Sequence, residues 1–321
     1  MQEETFQDCL KYWKNSDGYT KFWPNLAEKW DYKDGETLRQ YFKLERKRRG
    51  IFKEISFENK PLKKHYNKPK VGILDIETLP GVGYFWSLWD QNIGLEQIIK
   101  DTCMLGWAGK FLNESDIYSD FMVSKEAINR DFERITKSCW EFISKCDILI
   151  GHNLSQFDRK YINTSFLIHD LPPLKYTVID TLLVARQNMR FDSNKLSFIN
   201  KKLGIRNKLE NDGFPLWSSC SDGNVESLKI MQNYCEGDIY STEELFYKLR
   251  PYIKNFNIAL YNEIDSKICP VCGSDNLKSE GYYFTPSGKW TSYRCQECKC
   301  ISRGKENLLS KDKKKNLLIN S

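Results

Sequence analysis

The stretch VGILDIETLP, residues 71–80, constrains this chain more than any other. Val71, Ile73, Leu74 and Ile76 predict a buried strand. Asp75 and Glu77 lie two apart inside it. Side chains alternate along a strand, so both carboxylates emerge on one face. Burying unpaired charge is costly. A core strand with two like charges side by side needs something positive close by.

From residue 71 onward, strand patterns alternate with helical ones. DTCMLGWAGKFL and SDIYSDFM read as the next strands. EAINRDFERITKSCWEFISKC reads as one amphipathic helix of about six turns. DILIGHN predicts a buried strand, SQFDRKYINTSFLIHD a helix and LKYTVID a further strand. KLSFINKKLGI and SLKIMQNYCEGDIYSTEELFYKLRPYI supply later helices. Strands followed by alternating strands and helices predict an α/β sheet covered by helices.

The flanks differ from this middle. Residues 1–58 look helical: Phe6, Leu10 and Trp13 share a helical face, and Pro24 suits a helix start. KDGE marks a turn before a basic helix that ends at Gly50. A helix-turn-helix and a plain helical hairpin both fit. Residues 59–70 read as a basic linker with two prolines, and residues 304–321 as a basic, disordered tail. The formal net charge is +6 over 321 residues, and the basic excess sits in these flanks. That distribution suits a polyanionic partner. Arg46, Arg48 and Arg49 are the candidate phosphate contacts there. No apolar run is long enough for a membrane helix, and the polar N-terminus does not resemble a signal peptide. Eleven cysteines, an odd number, argue against a disulfide framework. The expected setting is therefore the cytoplasm, with no membrane partner.

Two further segments carry acids where burial is expected: Asp158 in GHNLSQFD and Asp238 in YCEGD. Tyr234 lies four residues before Asp238, on the same helical face. Carboxylates brought together need a cation, and Mg²⁺ or Mn²⁺ prefers such hard oxygen ligands. Two such ions stabilise both the attacking and the leaving oxygen of a phosphoryl displacement.

DIET, GHNLSQFD and YCEGD, in this order, resemble the three motifs of the DnaQ-like superfamily of 3′–5′ exonucleases. The Y-x-x-x-D spacing is similar to its tyrosine (DEDDy) subclass; the histidine subclass would carry His at position 233, which is Asn233. PGVGYFWSLWDQNIG, VIDTLLVAR and SNKLSFINKKLGI look like stand-alone phage-type members. The resemblance covers roughly residues 71–250, with the core domain drawn at 71–255. It implies an RNase H-like mixed sheet flanked by helices. It also implies two Mg²⁺ or Mn²⁺ ions held by Asp75, Glu77, Asp158 and Asp238, and Tyr234 orienting the attacking water. Asn153 and Phe157 match positions that shape the substrate end. Nucleic acid is the implied partner, DNA before RNA, in a bacterial or phage-infected cell; a replication or repair protein is a further expected partner. Alternatives are a structure-specific endonuclease or ribonuclease on the same core, and a non-catalytic binding protein. Asp180 is left out of the ligand set as structural. His152 and His169 read equally well as structural histidines, His65 as a solvated one. Trp86, Trp89 and Trp107 are read first as core, with base stacking the less common alternative.

CPVC and CQEC place Cys269, Cys272, Cys295 and Cys298 as paired C-x-x-C units around a predicted hairpin. This is the layout of a zinc ribbon over 268–303, with one structural Zn²⁺. Cys300 is a spare thiol beside the second pair. Lys278, Lys289, Arg294, Lys299 and Arg303 are interleaved with Tyr282, Tyr283, Phe284, Trp290 and Tyr293. That composition suits nucleic acid, with protein docking as the competing role.

Overall fold

The computed structural model describes residues 1–14, 22–49, 69–87, 89–90, 92–205, 213–261 and 263–319. The chain divides into two units, Met1–Leu62 and Lys63–Ser321.

In the first unit, α1 (Glu3–Lys14), α2 (Trp23–Lys29) and α3 (Gly35–Arg48) surround Phe6, Cys9, Trp23, Leu26, Leu38 and Phe42. The KDGE turn has a mechanism: the Asp34 carboxylate accepts from Thr37 N at 2.7 Å and holds the start of α3. Gly35 is required there, because a Cβ would stand 2.7 Å from Pro24 N. Two of the three predicted phosphate-binding arginines are used inside this unit. Arg46 is buried and stacks 4.3 Å over Trp13. Arg49 lies 4.0 Å over Phe6 and pairs with Glu3 and Glu45 at 2.6 and 2.9 Å. Stacking and ion pairing inside a small aromatic core commit both guanidiniums. Arg48 is the most exposed of the three, with 81% of its side chain open. The end of the predicted helical module, most of the predicted linker and His65, residues 50–68, fall outside the described residues.

The second unit is built on a sheet in the order β5-β4-β1-β6-β7: Ile117–Phe121, Cys103–Phe111, Val71–Leu79, Ile148–Gly151 and Thr177–Asp180. The expected mixed sheet is therefore present. β1 is central, antiparallel to β4 and parallel to β6. Its even-numbered side meets α5 (Glu133–Ser144): a Cβ on Gly72 would clash with Cys146, and one on Gly109, opposite Leu74, with Phe142. Its odd-numbered side, with Asp75 and Glu77, faces α10 (Val225–Leu249), whose Cys235 reaches Asp75. Helices thus cover both faces, and the buried side chains of β1, β4 and β6 form the centre of the core.

The six-turn helix predicted over 126–146 is two helices, α4 (Ser124–Asn129) and α5. Arg130 breaks them apart in the left-handed conformation, φ 55°. Its guanidinium holds Pro80 O at 2.9 Å and Ser221 Oγ at 2.8 Å. A tertiary clamp on the chain leaving β1 thus overrides helical periodicity. α6 (Asp158–Ile168) follows β6; α7 (Thr181–Asn188), α8 (Leu196–Leu203) and α9 (Phe214–Ser221) complete the core.

β2 (Val82–Gly83) and β3 (Ile98–Lys100) form a small hairpin after β1. Trp86 and Trp89, expected as core, are 94% and 80% exposed on it. Trp107 is core, buried against Phe142.

β8 (Leu277–Thr285), β9 (Gly288–Cys295) and β10 (Ile301–Arg303) form a second sheet in the order β10-β9-β8. The tail, expected without structure, folds back: Leu308 N donates to Lys289 O at 2.7 Å, and Lys311–Lys315 form α11. No described helix is long and apolar enough to cross a membrane.

Candidate active site

β1 delivers its two acids as strand alternation requires. Donor atoms of Asp75, Glu77 and Cys235 all lie within 4.8 Å of one another. Both carboxylates are half-buried rather than buried, so the strand opens to solvent where its charges sit. β1 pairs with β6 only through Ile73. Its register with β4 also shifts between Glu77 and Thr78. A bulge at this point aims the strand end away from the regular ladder.

Past the end of β6, Asp158 takes over the ladder's role. Its Oδ1 accepts from Ile76 N at 3.1 Å, between the two β1 acids. Asp158 opens α6, where the orphan N–H groups favour an anion. Burial nevertheless dominates and pushes its carboxyl up to about 7; the backbone hydrogen bonds oppose this, and the Asp180 charge adds to it.

α10 supplies the remaining candidates. Tyr234, Cys235 and Asp238 are all buried on it. Tyr234 packs edge-on to Trp217, with ring centroids 6.3 Å apart. Asp238 is close enough to act on the Cys235 thiol, as do Asp75 and Glu77. α10 is docked by a buried ion pair, Lys110 Nζ to Glu243 at 2.5 Å, and by Ser119 Oγ donating to Glu236 at 2.6 Å.

Cys235 was not singled out in the sequence. Its Sγ donates to Asp75 Oδ2 at 3.5 Å and approaches Asp75 O at 3.7 Å. Burial, then the charges of Asp75, Glu77 and Asp238, hold the thiol well above its usual range. Its S–H hydrogen bond holds the Asp75 carboxylate in place. Its place next to Tyr234 in the last motif was the available signal.

The surrounding loop is held by Asp180. Its carboxylate accepts from Asn153 N and Ser155 N at 3.0 and 2.9 Å, and caps α7 through Leu182 N at 3.0 Å. His152 Nε2 meets Asn194 O, and Nδ1 meets the Thr181 hydroxyl, both at 2.9 Å. Both residues do structural work. Asn153 adopts φ 70° in this loop, and Phe157 is exposed with its ring 5.0 Å from Tyr161.

These donors fit hard divalent cations. Asp75 and Glu77 offer carboxylate oxygens at one point, and a cation beside Asp158 would offset the burial that raises its carboxyl.

The cysteines form a separate cluster. Cys269, Cys272, Cys295 and Cys298 bring their sulfurs within 4.8 Å of one another. Cys269–Cys298 and Cys272–Cys295 separations are 3.5 and 3.6 Å. A tetrahedral Zn–S₄ centre has S···S edges of about 3.8 Å, so the sulfurs fit zinc. Both knuckles use the same backbone. Cys269 N donates to Ser274 O and Gly273 N to Cys269 O; Cys295 N donates to Cys300 O and Lys299 N to Cys295 O. Gly273 and Lys299 are both left-handed, φ 77° and 64°. Cys300 thus stands where the first knuckle has Ser274. Its hydrogen bond is the largest factor drawing Cys269 down to about 4, whereas burial raises Cys272 to about 11.

The sheet order, the acids at the end of its central strand and the helices on both faces define an RNase H-like α/β domain with a metal-type acid cluster. The family model described as RNase_H superfamily matches residues 94–250. The match takes in Asp158, Tyr234 and Asp238 and begins after Asp75 and Glu77. No curated protein matches the chain. Among solved structures, the family B DNA polymerase from the hyperthermophilic archaeon Pyrobaculum calidifontis is similar at 15% identity, with a TM-score of 0.43. The similarity covers 57% of this chain and 25% of that polymerase.

Proposed function

We propose that the protein is a metal-dependent 3′–5′ exonuclease, with DNA as the first substrate. The observation that carries this reading is the convergence at one strand end. Asp75 and Glu77 share a face, Asp158 grips the backbone between them, and α10 brings Cys235 against Asp75, with Asp238 near enough to act on that thiol.

Asp75, Glu77, Asp158 and Asp238 would hold two Mg²⁺ or Mn²⁺ ions, which supply charge stabilisation at the attacking and leaving oxygens. Tyr234 orients the attacking water from the wall of α10. Water adds to the terminal phosphorus and the bond to the 3′ oxygen of the preceding nucleotide breaks. That oxygen takes up a proton as the new 3′-hydroxyl, and a nucleoside 5′-monophosphate leaves. Cys235 fixes the Asp75 carboxylate through its S–H. Asn153 and Phe157 border the terminal nucleotide. The Cys269, Cys272, Cys295 and Cys298 cluster holds a structural zinc.

The test is cleavage of 5′-labelled DNA and RNA, single- and double-stranded, with Mg²⁺, Mn²⁺ or EDTA. A 3′-shortening ladder that needs metal and vanishes in Asp75→Asn is expected. A single internal cut, or no metal-dependent cleavage on any substrate, overturns the reading.

A further inference from the structure

The sequence interleaves basic and aromatic residues through the ribbon without saying which of them share a surface. The structure sorts them. On β8, a bulge between Ser279 and Tyr282 with Gly281 at φ 68° resets the alternation. Past it, Tyr282 and Phe284 point to one side and Tyr283 to the other. The cross-strand pairs are Tyr282 with Thr291 and Phe284 with Lys289. Strand alternation on β9 adds Tyr293 to the side of Lys289 and Thr291.

The two sides differ in exposure. Trp290 and Ser292 are buried. The Arg303 guanidinium covers Trp290 at 4.4 Å and reaches Tyr283 at 6.0 Å. The returning tail pairs with β9 through Gly304 N and Leu308 N. The other side is open: Tyr282 and Phe284 are 55% and 67% exposed, with ring centroids 6.4 Å apart. Lys289 Nζ stands 3.6 Å from the Tyr282 centroid and 5.9 Å from that of Phe284. Lys267 lies 5.3 Å over Tyr293 and donates to its hydroxyl at 3.0 Å. Exposed aromatic rings are costly to leave in water unless something covers them. Here each is set beside a cation; of the acids close by, Glu280 is paired with Arg294 at 2.7 Å and Glu306 lies near Lys267. Residues 267–305 carry seven basic against three acidic side chains.

We propose that this open face, Tyr282, Phe284, Lys289, Thr291, Tyr293 and Lys267, is a binding site for single-stranded nucleic acid. Rings in a row stack on unpaired bases, and every base offers a π-face, so sequence matters little. The lysines beside the rings meet the phosphates between those bases. An acidic peptide would satisfy the lysines and leave the rings uncovered. A duplex would offer phosphates and keep its bases stacked inside. The proposal concerns binding alone and does not depend on cleavage at the carboxylates.

The test uses the full chain with its zinc, in an Asp75→Asn background so that bound strands are not cut. Binding of labelled oligo-dT and oligo-rU is measured by anisotropy across a salt series. Tyr282→Ala and Phe284→Ala should each weaken binding about tenfold, whereas Tyr282→Phe and Phe284→Tyr retain it. Lys289→Ala should reduce the salt slope by about 0.7. Zinc content measured on every variant shows that the ribbon is still folded. The oligo-dT and oligo-rU arms tell which single strand is preferred. Unchanged affinity in Tyr282→Ala/Phe284→Ala with zinc retained overturns the proposal. So does tighter binding of blunt duplex DNA or of oligo-glutamate than of oligo-dT. Cleavage by the chain with Asp75 restored is read separately on a trinucleotide, so a failure of the nuclease reading is not mistaken for a failure of this one.

Discussion

The two clusters of this protein suit opposite kinds of metal and are assembled in opposite ways. The cysteines arise from two knuckles of the same backbone design, closed by local hydrogen bonds around Gly273 and Lys299. The carboxylates come from β1, the start of α6 and the middle of α10, elements that meet only when the whole sheet is packed. The first cluster is soft and buried, and its domain is too small to stand on its core alone. The second is hard, open to solvent at Asp75 and Glu77, and supported by a large core. A local cluster of this kind would stabilise its fold through a bound metal, whereas a long-range cluster is held in place by its fold.

That contrast can be broken first at the ribbon. Cys295→Ala should remove zinc, which metal analysis would otherwise find at about one per chain, and should melt the hairpin. Zinc binding in such modules is worth on the order of 10 kcal/mol. Hydrogen exchange should show protection lost over β8 and β9 and kept in β1, β4 and β6. Uniform loss would erase the distinction drawn here.

At the carboxylates the effects should be reversed. Asp75→Asn should cut turnover by at least about 10³-fold, roughly 4 kcal/mol of barrier. The melting temperature should be unchanged or higher, because a like-charge neighbour of Glu77 is gone. A large loss of stability in this variant would make Asp75 a structural residue.

The docking of α10 comes next. Lys110→Met leaves the half-buried Glu243 without its partner and should cost about 3 kcal/mol in denaturant unfolding. Replacing both, Lys110→Met with Glu243→Leu, should recover most of that loss. Zinc content should not move, because the knuckles do not depend on α10.

The smallest effect is a pH dependence. Asp158, pushed up to about 7 by burial, binds its proton more tightly folded than unfolded. Its contribution to stability is therefore present at low pH and lost as pH rises from the unfolded carboxyl value, about 4, through 7. The slope is at most about 1.4 kcal/mol per pH unit. The difference in stability between the metal-free protein and Asp158→Asn should shrink or change sign in favour of the variant over that window. Mg²⁺ should stabilise the native protein more at pH 7.5 than at pH 5.5. A pH-independent difference would mean that Asp158 ionises normally.

Much of this was legible in the residues. Alternation put Asp75 and Glu77 on one face, and the order of the three motifs pointed to a mixed sheet with helices on it. The two C-x-x-C pairs announced their own cluster. What the sequence misjudged shares one cause. Arg46 and Arg49 looked like phosphate contacts and are stacked on Trp13 and Phe6. Cys235 drew no notice in the sequence and touches Asp75. The helix over 126–146 looked continuous and is broken at Arg130, whose guanidinium is needed at Pro80 and Ser221.

The sequence by itself determined the periodicities, and with them the strand that carries two acids and the knuckles that gather four sulfurs. These are short-range properties, set by sterics and spacing along the chain. Tertiary structure decided which carboxylate becomes buried enough to hold its proton, which thiol orients an acid, and which face of the ribbon stays open. Each depends on neighbours far away in sequence, because burial and charge act through space.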